Sequence, residues 1–126
     1  MHTDEEMLNQ VTERIIGCAF KVANVLGCGF AEKVYENAMV HELRKSGLSV
    51  QQQKTVTVTY DGIVVGEYLA DLLVEEKVLV ELKSARALED AHTAQCLNYL
   101  AATGFPICLL INFGKRVEVK RFKHQN

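Results

Sequence analysis

The stretch Leu69-Ala70-Asp71-Leu72-Leu73-Val74-Glu75-Glu76-Lys77-Val78-Leu79-Val80-Glu81-Leu82-Lys83 reads as two strands joined by a short acidic turn. In the second strand, alternation puts Val78, Val80 and Leu82 on one face and Lys77, Leu79, Glu81 and Lys83 on the other. One face is therefore greasy, and the other ends in a carboxylate beside an ammonium. A turn centred on Glu76, between strands at 63–74 and 78–84, brings Asp71 opposite Glu81. Facing side chains in an antiparallel pair have Cβ atoms about 4.5–5.5 Å apart. Two carboxylates that close repel unless something positive stands between them: Lys83, a shared proton or a divalent cation. Hard oxygen ligands in a partly open site suit Mg2+ or Mn2+, with Lys83 free to stabilise charge on a phosphoryl group or to orient a water. A salt bridge at a strand end would use the same residues.

Working upstream, Thr55, Thr57 and Thr59 alternate with Val56, Val58 and Tyr60, and Asp61-Gly62 is a strong two-residue hairpin signal. Before that, apolar residues at three-and-four spacing predict a helix over Glu5–Leu26 that stops at Gly27, and another over Ala31–Lys45 that ends at Gly47. Downstream, a helix over Leu88–Thr103 is closed by Gly104 and Pro106. Ile107–Phe113 is apolar except for Asn112, as in a strand buried on both faces, and Arg116–Phe122 alternates charged with apolar residues. The predicted order is α, α, β, β, β, α, β, β.

The 126 residues fit one compact domain, 1–126, and a 48% hydrophobic, 24% charged composition excludes a disordered or low-complexity chain. Fourteen Lys and Arg against 16 Asp and Glu leave a net charge of −2, so nucleic-acid binding would rest on a local basic patch or a bound cation. Cys18, Cys28, Cys96 and Cys108 form no CxxC pair, and the start, with Asp4, Glu5 and Glu6, carries no secretory segment. They read as reduced thiols of a cytoplasmic protein, without the clustered spacing of an iron–sulfur site. No apolar run reaches the ~18 residues of a membrane span.

Further candidates lie on the helices. His92, Gln95 and Tyr99 share one face of the third helix, with Ala94, Leu97 and Ala101 on the opposite face, expected to point to the core. A Gln amide and a Tyr hydroxyl at i and i+4 can hold a phosphate or a metal-bound water, and His92 can donate to phosphate or assist proton transfer. Glu32 and Tyr35 stand one turn apart at the start of the second helix, where an acid is favoured by the helix dipole in any case.

The run Gly29-Phe30-Ala31-Glu32-Lys33-Val34-Tyr35 is a GxxExxY motif, and the whole chain resembles the small GxxExxY proteins grouped with the PD-(D/E)XK nuclease superfamily. Asp71, the Glu81-Leu82-Lys83 element and Gln95-x-x-x-Tyr99 follow in the matching order. The resemblance implies an α/β (α+β) fold with a restriction-endonuclease-like αβββαβ core: a mixed central sheet flanked by helices, with an extra N-terminal helix and a C-terminal strand. It also implies that Asp71, Glu81, the Leu82 main-chain carbonyl and Glu32 bind Mg2+ or Mn2+. Lys83 would serve hydrolysis, and His92, Gln95, Tyr99 and Tyr35 would lie beside metal and substrate. The residue before Asp71 is Ala70 where the pattern has Pro. The implied activity is metal-dependent phosphodiester hydrolysis of nucleic acid, DNA in preference to RNA; the small size and the common use of two-fold symmetry suggest a homodimer. The alternative is a non-hydrolytic nucleic-acid- or partner-binding module. Lys115, Arg116, Lys120, Arg121 and Lys123 offer a phosphate-contacting patch, although a charged edge strand accounts for them equally well.

Overall fold

The computed structural model describes residues 3–125. Its elements run α1 (Asp4–Leu26), α2 (Glu32–Lys45), β1 (Val50–Tyr60), β2 (Ile63–Val74), β3 (Val78–Lys83), α3 (Asp90–Thr103), β4 (Ile107–Phe113) and β5 (Val117–Lys123). The expected elements are all present, with ends that differ by a residue or two. The strand before the hairpin starts already at Val50, because the polar run Gln51–Lys54 pairs with the end of β2 although it shows no apolar alternation.

Turn chemistry sets the register. Asp61 and Gly62 both take positive φ, 51° and 75°, as a two-residue turn requires, and Tyr60 pairs with Ile63 across them. At the second turn Glu75 and Glu76 also have positive φ, 52° and 55°, and Val74 pairs with Val78. A glutamate held there is strained. Ser49 compensates at Glu75: its N–H donates to the Glu75 carboxylate (2.7 Å), and its carbonyl accepts the Glu75 N–H (2.9 Å).

The strands lie in the order β1-β2-β3-β4-β5. β3 and β4 are parallel, joined by the α3 crossover, and the other neighbours are antiparallel. Alternation along the central strands feeds two cores. Val78, Val80 and Leu82 of β3, with Ile107, Leu109, Ile111 and Phe113 of β4, pack with Ile15, Ala19 and Val22 of α1 and Met39 and Leu43 of α2. Leu79, Cys108 and Leu110 pack with Cys96, Tyr99 and Leu100 of α3. Helices therefore cover both faces of a mixed sheet.

One expectation is overturned here. Ala94, Leu97 and Ala101 are exposed, and α3 meets the sheet through Cys96, Tyr99 and Leu100. The Tyr99 ring and the Leu100 side chain bury far more apolar surface than two alanines can, so they decide which face turns inward.

The GxxExxY residues shape the α1–α2 connection. Gly29 takes φ 105°, a conformation that side-chain-bearing residues rarely adopt. Tyr35, fully buried, stacks on Phe113 with ring centroids 4.5 Å apart. Its hydroxyl donates to the Gly27 carbonyl (2.6 Å) and accepts the Phe30 N–H (3.3 Å), closing the loop against the helix that follows. Tyr35→Phe is expected to lower stability by roughly 1–3 kcal/mol, since it orphans both loop groups. Urea unfolding with an unchanged midpoint would contradict this role.

Candidate active site

β2 and β3 pair regularly from Val74 and Val78 as far as Leu72 and Val80. At the next position, Asp71 opposite Glu81, side chains take over from the ladder. The Asp71 N–H donates to Glu81 Oε1 (2.9 Å), and the Leu82 N–H donates to Asp71 Oδ2 (2.8 Å). Each carboxylate thus holds the other strand's main chain. Strand faces also exchange at this point: Ala70 packs in the α3-side core, whereas Leu72, two residues on, packs in the α1/α2-side core. The neighbouring β1 residue, Gln53, has φ 60°. Such irregularities re-aim side chains at functional sites.

Burial and proximity raise both acids. Burial lifts Glu81, 2% exposed, to about 8; the Asp71 charge adds to this, and the Asp71 N–H and Lys83 oppose it. Burial lifts Asp71 to about 6, against the Leu82 N–H and Lys83, with Glu36 and Glu32 pushing further up. Lys83 follows two residues after Glu81 and makes no hydrogen bond or ion pair with any described residue. Its charge nevertheless favours the ionised form of both carboxyls.

The other candidates divide. Tyr99 is 4% exposed, and its hydroxyl accepts from Gln95 Nε2 (3.0 Å). Burial, then the charges of Glu81 and Asp71, push it up to about 12, so it keeps its proton and can donate it as a hydrogen bond. Tyr99 therefore lies within electrostatic reach of the carboxylates, with Gln95 bonded to it. Glu32, exposed on the first turn of α2, reaches them through its charge. The His92 Nδ1 accepts the Glu89 N–H (3.1 Å) and so holds the start of α3. The Tyr35 hydroxyl is spent on the loop before α2 and makes no hydrogen bond to Asp71 or Glu81.

Sequence reasoning missed two residues. Glu36 is 3% exposed and is held by Lys33 Nζ (2.8 Å), Gln52 Nε2 (2.6 Å) and Gln53 Nε2 (2.9 Å). Burial opposes its ionisation, but these donors together keep its pKa below the ordinary value. It is therefore a fixed negative charge that raises Asp71 and ties α2 to the irregular part of β1. Its place one turn after Glu32 was the available signal. Fully buried Asn112, noted only as the polar exception in β4, is the other: its Oδ1 accepts the Ala85 N–H (2.9 Å) and its Nδ2 donates to the Ala85 carbonyl (3.0 Å).

The residues fit a hard divalent cation. The buried Glu81 and half-buried Asp71 carboxylates repel, and their oxygens are the donors such a cation takes. No cluster of three or more His, Cys, Asp or Glu able to hold a metal occurs among the described residues. The fitting pattern is two carboxylates plus main-chain oxygen and water, as Mg2+ commonly has. The four cysteines are free, with Cys28 exposed and the rest buried.

A mixed sheet with helices on both faces and an acidic pair at the end of a strand that runs parallel to its neighbour defines a restriction-endonuclease-like fold. Residues 9–122 match the PD-(D/E)XK nuclease superfamily, and the chain belongs to it. Members of this superfamily generally use divalent metals. Among solved structures the chain is similar to SSO0001, with 14% identity over 75% of this chain and 51% of that one and a TM-score of 0.60, so it spans about half of that protein's length. It is also similar to LHK-Exo in complex with dAMP, with 13% identity over 85% and 76% of the two chains and a TM-score of 0.50. A second structure of LHK-Exo, an alkaline exonuclease from Laribacter hongkongensis, gives 14% identity and a TM-score of 0.44. At these identities the likeness is one of fold. No curated protein matches the sequence.

Acids whose folded pKa is raised stabilise the fold only while protonated. Below the ordinary carboxylate range Asp71 and Glu81 hold their protons in both states. From the ordinary carboxylate range up to about 6 for Asp71 and about 8 for Glu81, the unfolded chain has released protons that the fold retains, so stability falls across that window and levels off above about 8. In EDTA, thermal melts are expected to show this decline in the wild type and a flatter profile when Asp71→Asn and Glu81→Gln are combined. Parallel profiles would contradict the assignment.

Proposed function

We propose that this chain is a GxxExxY-type member of its superfamily, acting as a single nuclease-like domain that hydrolyses phosphodiester bonds in nucleic acid, DNA in preference to RNA. The observation that carries the reading is the reciprocal clasp of Asp71 and Glu81, with Lys83 next along the same strand face. Support for DNA comes from LHK-Exo, an exonuclease by name and bound to a deoxynucleotide.

In this reading Asp71, Glu81 and the Leu82 main-chain carbonyl hold Mg2+ or Mn2+, and the Glu32 charge adds to the attraction for the cation from α2. Such a cation neutralises the carboxylates, polarises the phosphoryl oxygens and lowers the pKa of a bound water. Lys83 supplies a fixed ammonium where negative charge builds in the transition state. Tyr99 donates a hydrogen bond to the substrate while Gln95 fixes the hydroxyl's orientation. His92 lies one turn before Gln95 and can meet a substrate phosphate through its other ring nitrogen. Burial of the carboxylates keeps bulk water away and strengthens each of these interactions.

The test is cleavage of labelled linear and circular DNA, and of RNA, with Mg2+, Mn2+ or EDTA, running wild type beside Lys83→Ala and Asp71→Asn. Lys83→Ala is expected to reduce cleavage on the order of 10²–10³-fold while leaving metal binding largely intact. Asp71→Asn is expected to lose cleavage and to bind the metal more weakly. Wild-type cleavage no greater than that of the variants, despite measurable Mn2+ binding, would replace hydrolysis with the non-hydrolytic binding module.

A further inference from the structure

At the C-terminal ends of the parallel strands β3 and β4 lies a cleft of about 700 Å3, lined by the loop before α2, the segment 84–86 and the turn 113–115. Ligands of α/β sheets settle in the crevice outside the carboxyl ends of parallel strands, and this volume is in the range of small-ligand sites. The cleft adjoins the candidate active site through Lys83 and Ser84, which are consecutive.

Its walls are fixed. The two Asn112 bonds clamp Ala85 to β4, and Asn112 Nδ2 also reaches Glu118 Oε1 (3.2 Å). The Ser84 hydroxyl donates to the Phe30 carbonyl (2.8 Å) and ties the same segment to the loop before α2. At Gly114 the main chain comes so close that an added Cβ would lie 3.1 Å from the Ala85 carbonyl oxygen and 3.3 Å from Asn112 Nδ2.

Its charge is of one sign. Arg86 and Lys115 line the cleft and no acidic side chain does. Neither cation makes a hydrogen bond or ion pair with any described residue. Two other members of the C-terminal basic run, Arg121 and Lys123, are committed elsewhere. Arg121 donates to Asn9 Oδ1 (2.7 Å) and Lys123 pairs with Glu5 (3.1 Å), at the opposite end of β4, where Lys123 lies across from Ile107. An acidic protein thus keeps two cations without a partner among the described residues in a braced hollow beside the Asp71–Glu81 pair. Arg86 presents a planar fork suited to two phosphate oxygens, and Lys115 presents a point charge.

We propose that this cleft binds a backbone phosphate of the nucleic-acid strand adjacent to the bond under attack, with Arg86 and Lys115 as its two ligands. The assignment rests on the nucleic-acid reading above and adds where the strand runs: from the carboxylates, past Lys83, between α2 and the β4–β5 turn.

The experiment measures binding of fluorescein-labelled dT12 to the full chain in EDTA across a salt series. Wild type is compared with Arg86→Ala/Lys115→Ala and with Arg121→Ala/Lys123→Ala, which removes the same charge at the far end. The cleft variant is expected to bind on the order of tenfold more weakly at 0.1 M salt, and its log–log salt slope to be shallower by about 0.7, the value for one phosphate neutralised on a single strand. The far-end variant should keep the wild-type slope. Cys28, the one exposed cysteine among the described residues, lines the cleft, so dT12 should also slow its alkylation by iodoacetamide in wild type and not in the cleft variant. Equal slopes for wild type and cleft variant, equal losses in the two variants, or no binding by wild type would each overturn the proposal. Protection of Cys28 by dTMP equal to that by dT12 would make this a mononucleotide site and overturn the strand assignment. Binding through the cleft without metal-dependent cleavage would remove the nuclease reading and leave the cleft standing, whereas cleavage with equal slopes would do the reverse.

Discussion

Two acids of adjacent strands, half-buried Asp71 and buried Glu81, stand where the β2–β3 ladder would have placed its next rung, and each accepts a main-chain N–H around the other. The bonds satisfy the strands, but they leave two like charges in a place that disfavours even one, which is why both carboxyls hold their protons to unusually high pH. A fold can keep such a pair only if the elements around it are held too firmly to relax, and much of the remaining structure serves that end. The parallel β3–β4 pair, buried by α1 and α2 on one face and α3 on the other, supplies the stiffness.

Around that centre, polar groups act as braces. Tyr35 closes the turn between α1 and α2 and so sets where Glu32 stands. Glu36 gathers Lys33, Gln52 and Gln53 and fixes α2 to β1 at the residue whose φ is positive. Asn112 holds the exit of β3 to β4 through Ala85. No buried side-chain nitrogen or oxygen among the described residues lacks a partner, so these networks specify one arrangement without leaving an orphaned group.

The parts of this design that were legible in the sequence are those fixed by short-range chemistry. Asp61-Gly62 named one turn, the acidic turn at 75–77 set the register of β2 on β3, and that register alone put Asp71 across from Glu81. The uninterrupted apolar run of β4 announced a strand covered on both faces. What could not be read depends on partners distant in the chain. The orientation of α3 was misjudged because alanine and leucine on its outer face look like core residues until Tyr99 and Leu100 are seen to fill the space above the sheet. Glu36 looked like one more helix acid because its amide donors, Gln52 and Gln53, belong to a strand whose polar sequence gave no sign of pairing. Tyr35 belonged to a recognisable motif, but its role became visible only with Gly27 and Phe113 in place.

In the proposed function Asp71 and Glu81 together form a seat for a hard divalent cation. Calorimetric titration of Mn2+ into the wild type and into Asp71→Asn decides whether they do. The wild type is expected to show a single site, and the variant an affinity weakened at least as much as the loss of an outer-shell partner would weaken it, roughly 10- to 100-fold. Equal affinity in the two proteins would remove the cation from the pair.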